Sequence, residues 1–274
     1  MDPKTVVPLI VLLVVGCPRG TSDPAPAAAG ASASSPPPTP PPEPQPPPPR
    51  PTGCPSGSVR VTGEMCLAPE QDCVDWIDDP KLPYARCRRY STPTRCPGPR
   101  RRVDVCIDRL EAAGPDGMPI ADVSWTTAVA TCESRGMRLC QEHEWTFACE
   151  GETGRPYPHG WTRRPEWCNH DIGKPLACGA VLCDHRRPVD DPELHSCSTP
   201  EGVCNLVGNI DEWVVLDRPH FSAKNGGRKM MSGLKGGWWG NLRNRCRPVT
   251  VDHDEHFHEL QTGFRCCADP GGER

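Results

Sequence analysis

Long apolar runs are nearly missing from this chain. The stretch from Val6 to Gly16, behind Lys4, is too short to cross a bilayer as a helix and reads as an export signal instead. A basic stripe with interleaved aromatics is missing too: 31 Lys and Arg face 35 Asp and Glu, for a formal charge of −4, which argues against nucleic acid as a partner. No internal repeat or long periodic pattern is present, and aliphatic content is modest, so the sequence predicts a loop-rich fold with a limited core.

Cysteine is what the chain has in excess, with 18 in 274 residues. Such usage belongs where disulfides persist, outside a reducing cytosol. The apolar run ends Val14-Val15-Gly16-Cys17, which resembles a bacterial lipobox: small residues admit the peptidase, and the Cys17 thiol accepts diacylglycerol. An ordinary signal peptide cut near Ala28 is the competing reading. If Cys17 is lipidated, seventeen of the 18 cysteines remain and at least one must be free or paired to another chain; without lipidation nine bridges are possible.

Three segments follow from composition. Residues 1–17 are expected to be a lipoprotein signal peptide ending on the lipobox cysteine. Residues 18–53, rich in Ala, Ser and above all Pro, form a disordered linker, with Pro36 to Pro51 favouring a polyproline II spacer of roughly 50 Å at about 3.1 Å per residue. Residues 54–274 form one domain stapled by bridges. The partner expected for the N-terminal segment is a membrane, through the lipid, at a bacterial outer membrane or cell surface.

Within the domain two helices can be placed. Ser124 is a good N-cap, Trp125, Ala128, Val129 and Cys132 follow a helical stripe, and Gly136 can end it; a second helix runs from about Gln141 to Cys149 and stops at Gly151. Short apolar stretches at Val59–Val61 and Val103–Ile107 predict strands, while Arg100-Arg101-Arg102 reads as a solvated loop.

At these helices a resemblance begins. Val123-Ser124-Trp125, Gly136-Met137-Arg138-Leu139, Glu142-His143-Glu144-Trp145, Tyr157-Pro158-His159-Gly160, the segment Gly202 to Trp213, Lys235-Gly236-Gly237-Trp238 and Gly263-Phe264-Arg265 stand in the order found in the formylglycine-generating enzyme, or sulfatase-modifying factor, family. Asp108-Arg109-Leu110-Glu111 and Val59-Arg60-Val61 resemble the family's opening. The resemblance implies an α+β fold related to C-type lectins. Activity has to be argued position by position, because a shared fold does not carry it.

The resemblance also implies a calcium site in Asn205-Leu206-Val207-Gly208-Asn209-Ile210-Asp211-Glu212. Its ligands would be the Asn205 amide oxygen, the Gly208 and Ile210 carbonyls and the Glu212 carboxylate, a set of hard oxygens suited to calcium. Asn169 resembles a ligand of the family's other calcium site. Family catalysts place two thiols five residues apart, shortly after a Gly-Gly-Ser motif, to bind copper(I). Here Gly236-Gly237 leads through Trp238 and Trp239 to Cys246 with no second cysteine in reach, so no copper site of the family type is expected.

Aligned without a gap, Cys246 falls on the second thiol and Asn241 on the first; its spacing to Gly263 instead fits a structural cysteine. On the structural assignment the resemblance implies bridges Cys149 to Cys246 and Cys132 to Cys266. The connectivity of the others, Cys106, Cys140 and Cys267 among them, is not written in spacing. Trp238 and Trp239 are expected to fill the core rather than line a substrate groove. The function expected is a non-catalytic binding or scaffold module for a protein or peptide ligand. The alternative is a non-haem iron or copper oxidase using the histidine-rich stretch Asp252 to Glu259.

Overall fold

Strand alternation at the start of the domain sets the first layer. The computed structural model describes residues 53–173, 177–223 and 226–271. The signal segment, Cys17 and the linker up to residue 52 lie outside the described residues. Four strands come first in the chain: β1 (Ser58–Cys66), β2 (Cys73–Trp76), β3 (Cys87–Tyr90) and β4 (Arg100–Asp108). β1 and β4 pair antiparallel with Val59 opposite Ile107 and Val61 opposite Val105, which turns Val61 and Met65 inward with Val103, Val105 and Ile107. β2 and β3 form a separate hairpin that the Cys73–Cys87 disulfide closes.

The arginine triplet is strand rather than the expected loop. Arg100, Arg101 and Arg102 open β4 opposite Cys66, Met65 and Glu64, with their side chains exposed. Cross-strand pairing decides the backbone here, and the guanidinium groups find polar neighbours at its edge: Arg102 donates to the Thr62 hydroxyl at 3.1 Å, and Arg101 lies 3.5 Å from Asp217.

Next come α1 (Trp125–Ser134), β5 (Arg138–Leu139) and α2 (Glu142–Glu150). The Ser124 hydroxyl accepts the Thr127 N–H and starts α1, whose Ala128 and Cys132 face the core. α2 is held at its start by the Gln141 N–H donating to Glu144 at 2.8 Å, while Arg138 grips the same carboxylate with two nitrogens; Gly151 ends the helix. Trp145 points from α2 into a core shared with Val105, Ile107, Leu206, Val207 and Val214.

The rest of the chain adds α3 (Pro165–Cys168), β6 (Ala177–Cys178), β7 (Val181–Leu182), β8 (Asp211–Ser222), β9 (Arg228–Lys235), β10 (Val249–Thr250), β11 (Thr262–Phe264) and β12 (Cys266–Ala268). One sheet has the order β1-β4-β12-β5 and the other β10-β9-β8-β11, with β11 parallel to β8. This is an α+β architecture with two four-stranded sheets.

Among the described residues eight disulfides tie the layers together. Cys132–Cys266 joins α1 to β12, Cys140–Cys267 joins the end of β5 to the same strand, and Cys149–Cys246 joins α2 to the segment after β9. These three close loops of 134, 127 and 97 residues, for which the chain-entropy model gives about 4 to 5 kcal/mol each. Cys54–Cys106, Cys66–Cys96, Cys168–Cys197 and Cys178–Cys183 complete the set with the hairpin bridge, and Cys204 is buried and free.

Candidate functional site

The segment Asn205 to Glu212 enters β8 through a tight loop in which Asn205, Gly208 and Asn209 all have positive φ. Gly208 is required there: a Cβ would stand 1.9 Å from the Cys168 carbonyl oxygen. The loop delivers Glu212 to the centre of the domain, where its carboxylate is fully buried. Arg265, also fully buried, donates Nε to Oε2 at 2.6 Å and Nη2 to Oε1 at 2.5 Å, and the Trp145 indole donates to Oε2 at 2.7 Å. The remaining guanidinium donors reach the carbonyls of Asp108 and Cys204, so Arg265 ties the junction of β11 and β12 to β4 and to the loop.

A second acid lies beside this pair. Asn205 Nδ2 and Asn209 Nδ2 donate to the two oxygens of Glu111 at 2.8 and 2.9 Å. Burial, with the charge of Glu212 adding to it, pushes Glu111 up to about 8; the Arg265 charge and the two amides pull the other way. Burial likewise pushes Asp211 up to about 7. The sequence motif exposes Glu111 but not its role, which only the fold creates by bringing Asn205 and Asn209 to it from about a hundred positions away.

Of the residues expected to hold calcium, Asn205, Gly208 and Ile210 lie in the loop and Glu212 in the start of β8, with Asn205 engaged by Glu111 and Glu212 by Arg265. All offer hard oxygens. A carboxylate has about four acceptor positions, and Glu212 uses three of them on Arg265 and Trp145, which leaves one on Oε1. Arg265 sets a buried positive charge against the same carboxylate. Asn169 is engaged elsewhere, donating to the His185 carbonyl and to Asn209 Oδ1.

Beyond β9 the chain turns at Gly236-Gly237. A Cβ on Gly237 would stand 2.6 Å from Asn244 Nδ2 and 2.7 Å from the Leu242 carbonyl oxygen, so the following loop folds back directly onto this glycine. Asn244 closes the loop by donating to the Trp238 carbonyl. Trp239 is fully buried and Trp238 half-buried, edge to face with it at 5.3 Å, which is core filling for the first and partial cover for the second. Cys246 is buried in its bridge to Cys149, and Asn241 is exposed.

This loop also walls a cleft of about 470 Å³ whose lining contains five arginines, three tyrosines and no carboxylate. Arg86 is paired with Asp78, Arg163 with Asp171 and Arg247 with Glu150. Arg243 and Arg245 form no salt bridge among the described residues; Arg245 donates to the Tyr90 hydroxyl at 2.8 Å and lies 5.9 Å from the centre of its ring.

A family described as the sulfatase-modifying factor enzyme 1-like domain matches residues 84–270. The chain belongs to this family. Bovine (Bos taurus) inactive C-alpha-formylglycine-generating enzyme 2 is 31% identical to it over 160 residues, covering 56% of this chain and 51% of that protein. Mouse (Mus musculus) formylglycine-generating enzyme is 35% identical over 101 residues, covering 35% of this chain and 26% of that protein. The chain thus spans about half the length, or less, of the curated relatives it matches. Among solved structures, CarF is similar with a TM-score of 0.47 at 16% identity, over 74% of this chain and 99% of that one. PvdO from Pseudomonas aeruginosa gives 0.45 at 16% identity, over 77% and 94%.

In this sulfatase-modifying factor domain the histidine-rich stretch does not converge. His253 stacks on Phe257 at 3.8 Å, His258 Nδ1 pairs with Asp122 at 2.8 Å, and only the backbone N–H of His256 donates to Asp254. Among the described residues the one set of three potential ligand atoms within 4.8 Å of one another is His159, Cys168 and Cys197. Its two sulfurs are bonded to each other, and burial lowers His159 to about 4. No helix among the described residues is long and apolar enough to cross a membrane.

Proposed function

We propose that this domain is a non-catalytic binding or scaffold module, exported and tethered to a bacterial membrane surface by lipid on Cys17. The observation that carries the reading is the state of Cys246. Copper(I) chemistry on a cysteine substrate needs two converging soft thiolates, whereas Cys246 is a buried disulfide partner of Cys149, and the position expected for the other thiol holds Asn241. Two of the matched relatives carry the word inactive in their names, which agrees with such a role.

Calcium held by Asn205, Gly208, Ile210 and Glu212 would cross-link the loop that carries Glu212 and so stabilise the fold around Arg265. The tether rests on the lipobox ahead of a proline-rich spacer, and on cysteine usage that needs an oxidising compartment. Competition with a chromophoric copper(I) chelator tests the central point: the non-reduced protein should not compete, and tight stoichiometric capture of copper(I) would overturn it. Mass spectrometry of the mature N-terminus tests the anchor. Diacylated Cys17 is expected, and an unmodified N-terminus well downstream would remove this part of the proposal.

A further inference from the structure

We propose that the arginine-lined cleft beside the β2–β3 hairpin binds an oxyanion-bearing peptide segment, with Arg243 and Arg245 as its primary contacts. The inference rests on the reading of the domain as a binding module and names the chemistry of its occupant. Five guanidinium groups line the cleft with no carboxylate among the lining residues: Arg86, Arg163 and Arg247 are paired with acids behind it, Arg243 is within electrostatic reach of the buried Asp211 without a salt bridge among the described residues, and Arg245 meets only the Tyr90 hydroxyl and ring. That local excess is structural rather than incidental. The folding back of the chain onto Gly237 presents Arg243 at positive φ, and the bridge from Cys246 to Cys149 fixes the next turn, so both side chains project from a rigid loop.

Guanidinium groups take carboxylate, phosphate and sulfate oxygens through paired N–H donors, and they do so best where water is partly excluded. Arg243 and Arg245 are half-buried, which places them in that regime. The rim argues for a peptide as carrier. Tyr84 of the lining is 66% exposed, and Val249 brings the edge strand β10 to the same cleft. Exposed aromatics beside arginine and an edge strand are the combination that seats an extended chain. A cleft of about 470 Å³ has room for a few side chains of such a segment.

The test is fluorescence anisotropy on the full chain with three labelled peptides of the same length: one rich in Glu, one carrying phosphotyrosine and one with Gln in place of Glu. At least one charged peptide should bind and the Gln peptide should not. Because charge-assisted hydrogen bonds contribute about 1.5 to 3 kcal/mol, Arg243→Gln and Arg245→Gln should each weaken binding about tenfold or more. Arg102→Gln, remote from the cleft lining, should leave it unchanged. Whichever charged peptide binds tighter identifies carboxylate or ester as the source of the oxyanion. Equal binding of the Gln peptide, or wild-type affinity in the folded Arg243→Gln/Arg245→Gln variant, would overturn the proposal. So would binding of heparin or of inorganic phosphate when no peptide binds. The non-catalytic reading has its own test in copper capture and aldehyde formation, so failure of either one is recognised separately.

Discussion

Replacing Arg265 by methionine should destabilise the domain by about 3 to 5 kcal/mol, the cost of leaving a buried charge without its partner. The figure follows from what the guanidinium does: it supplies both strong donors to Glu212, at 2.6 and 2.5 Å, and satisfies two backbone carbonyls, all with the side chains fully buried. After the substitution Glu212 would keep only the Trp145 indole. Glu111 would lose the nearby positive charge that restrains its already raised pKa.

A carboxyl whose folded pKa is raised contributes stability in full below its unfolded pKa and loses it as pH rises through the folded value. The penalty of Arg265→Met should therefore grow between about pH 5 and 8. Urea unfolding at both pH values measures it. Because an apolar replacement of the whole pair avoids the orphaned charge, Glu212→Leu/Arg265→Met should recover part of the loss. A single-substitution cost below about 1 kcal/mol, or a double variant as unstable as the sum of the singles, would refute the reasoning.

Glu111, pushed up to about 8, and Asp211, to about 7, should together make the wild type lose stability as pH climbs from about 5 to 8, with the loss complete above the folded values; Glu111→Gln should flatten that slope in urea unfolding, and an unchanged slope would count against the assignment. Chelation of calcium should lower the melting temperature of the wild type but not that of Asn205→Ala or Glu212→Ala, as read by differential scanning fluorimetry. Cys149→Ser/Cys246→Ser opens a loop of 97 residues and should cost about 4 kcal/mol in the entropy model; a loss near zero would show the bridge to be dispensable.

Local signals made part of this fold legible in the sequence. α1 and α2 carry their own start and stop residues, Ser124, Gln141 with Glu144, and Gly151, so their limits follow from short-range chemistry. β1 and β4 alternate because one face of each is buried. β8 was hidden for the opposite reason: Asp211 to Leu216 is almost wholly buried on both faces, which erases the period of two, and the register slips between Val215 and His220 around Pro219.

The loop from Asn205 to Glu212 could be found from its motif, yet the occupation of Glu212 by Arg265 could not, because the two are 53 positions apart and joined only by the pairing of β11 with β8. The arginine cleft was invisible for the same reason. Arg86, Arg163 and Arg245 have no sequence relation, and each reads singly as a surface charge until the hairpin, the turn after Tyr157 and the loop after Gly237 are folded together.

Aldehyde formation on a sulfatase-type cysteine peptide, followed by mass change in aerated solution with copper supplied, decides whether this domain is catalytic. None is expected, because Cys246 is committed to Cys149 and Asn241 offers no soft donor. Turnover that disappears in a correctly folded Cys246→Ser variant would contradict it.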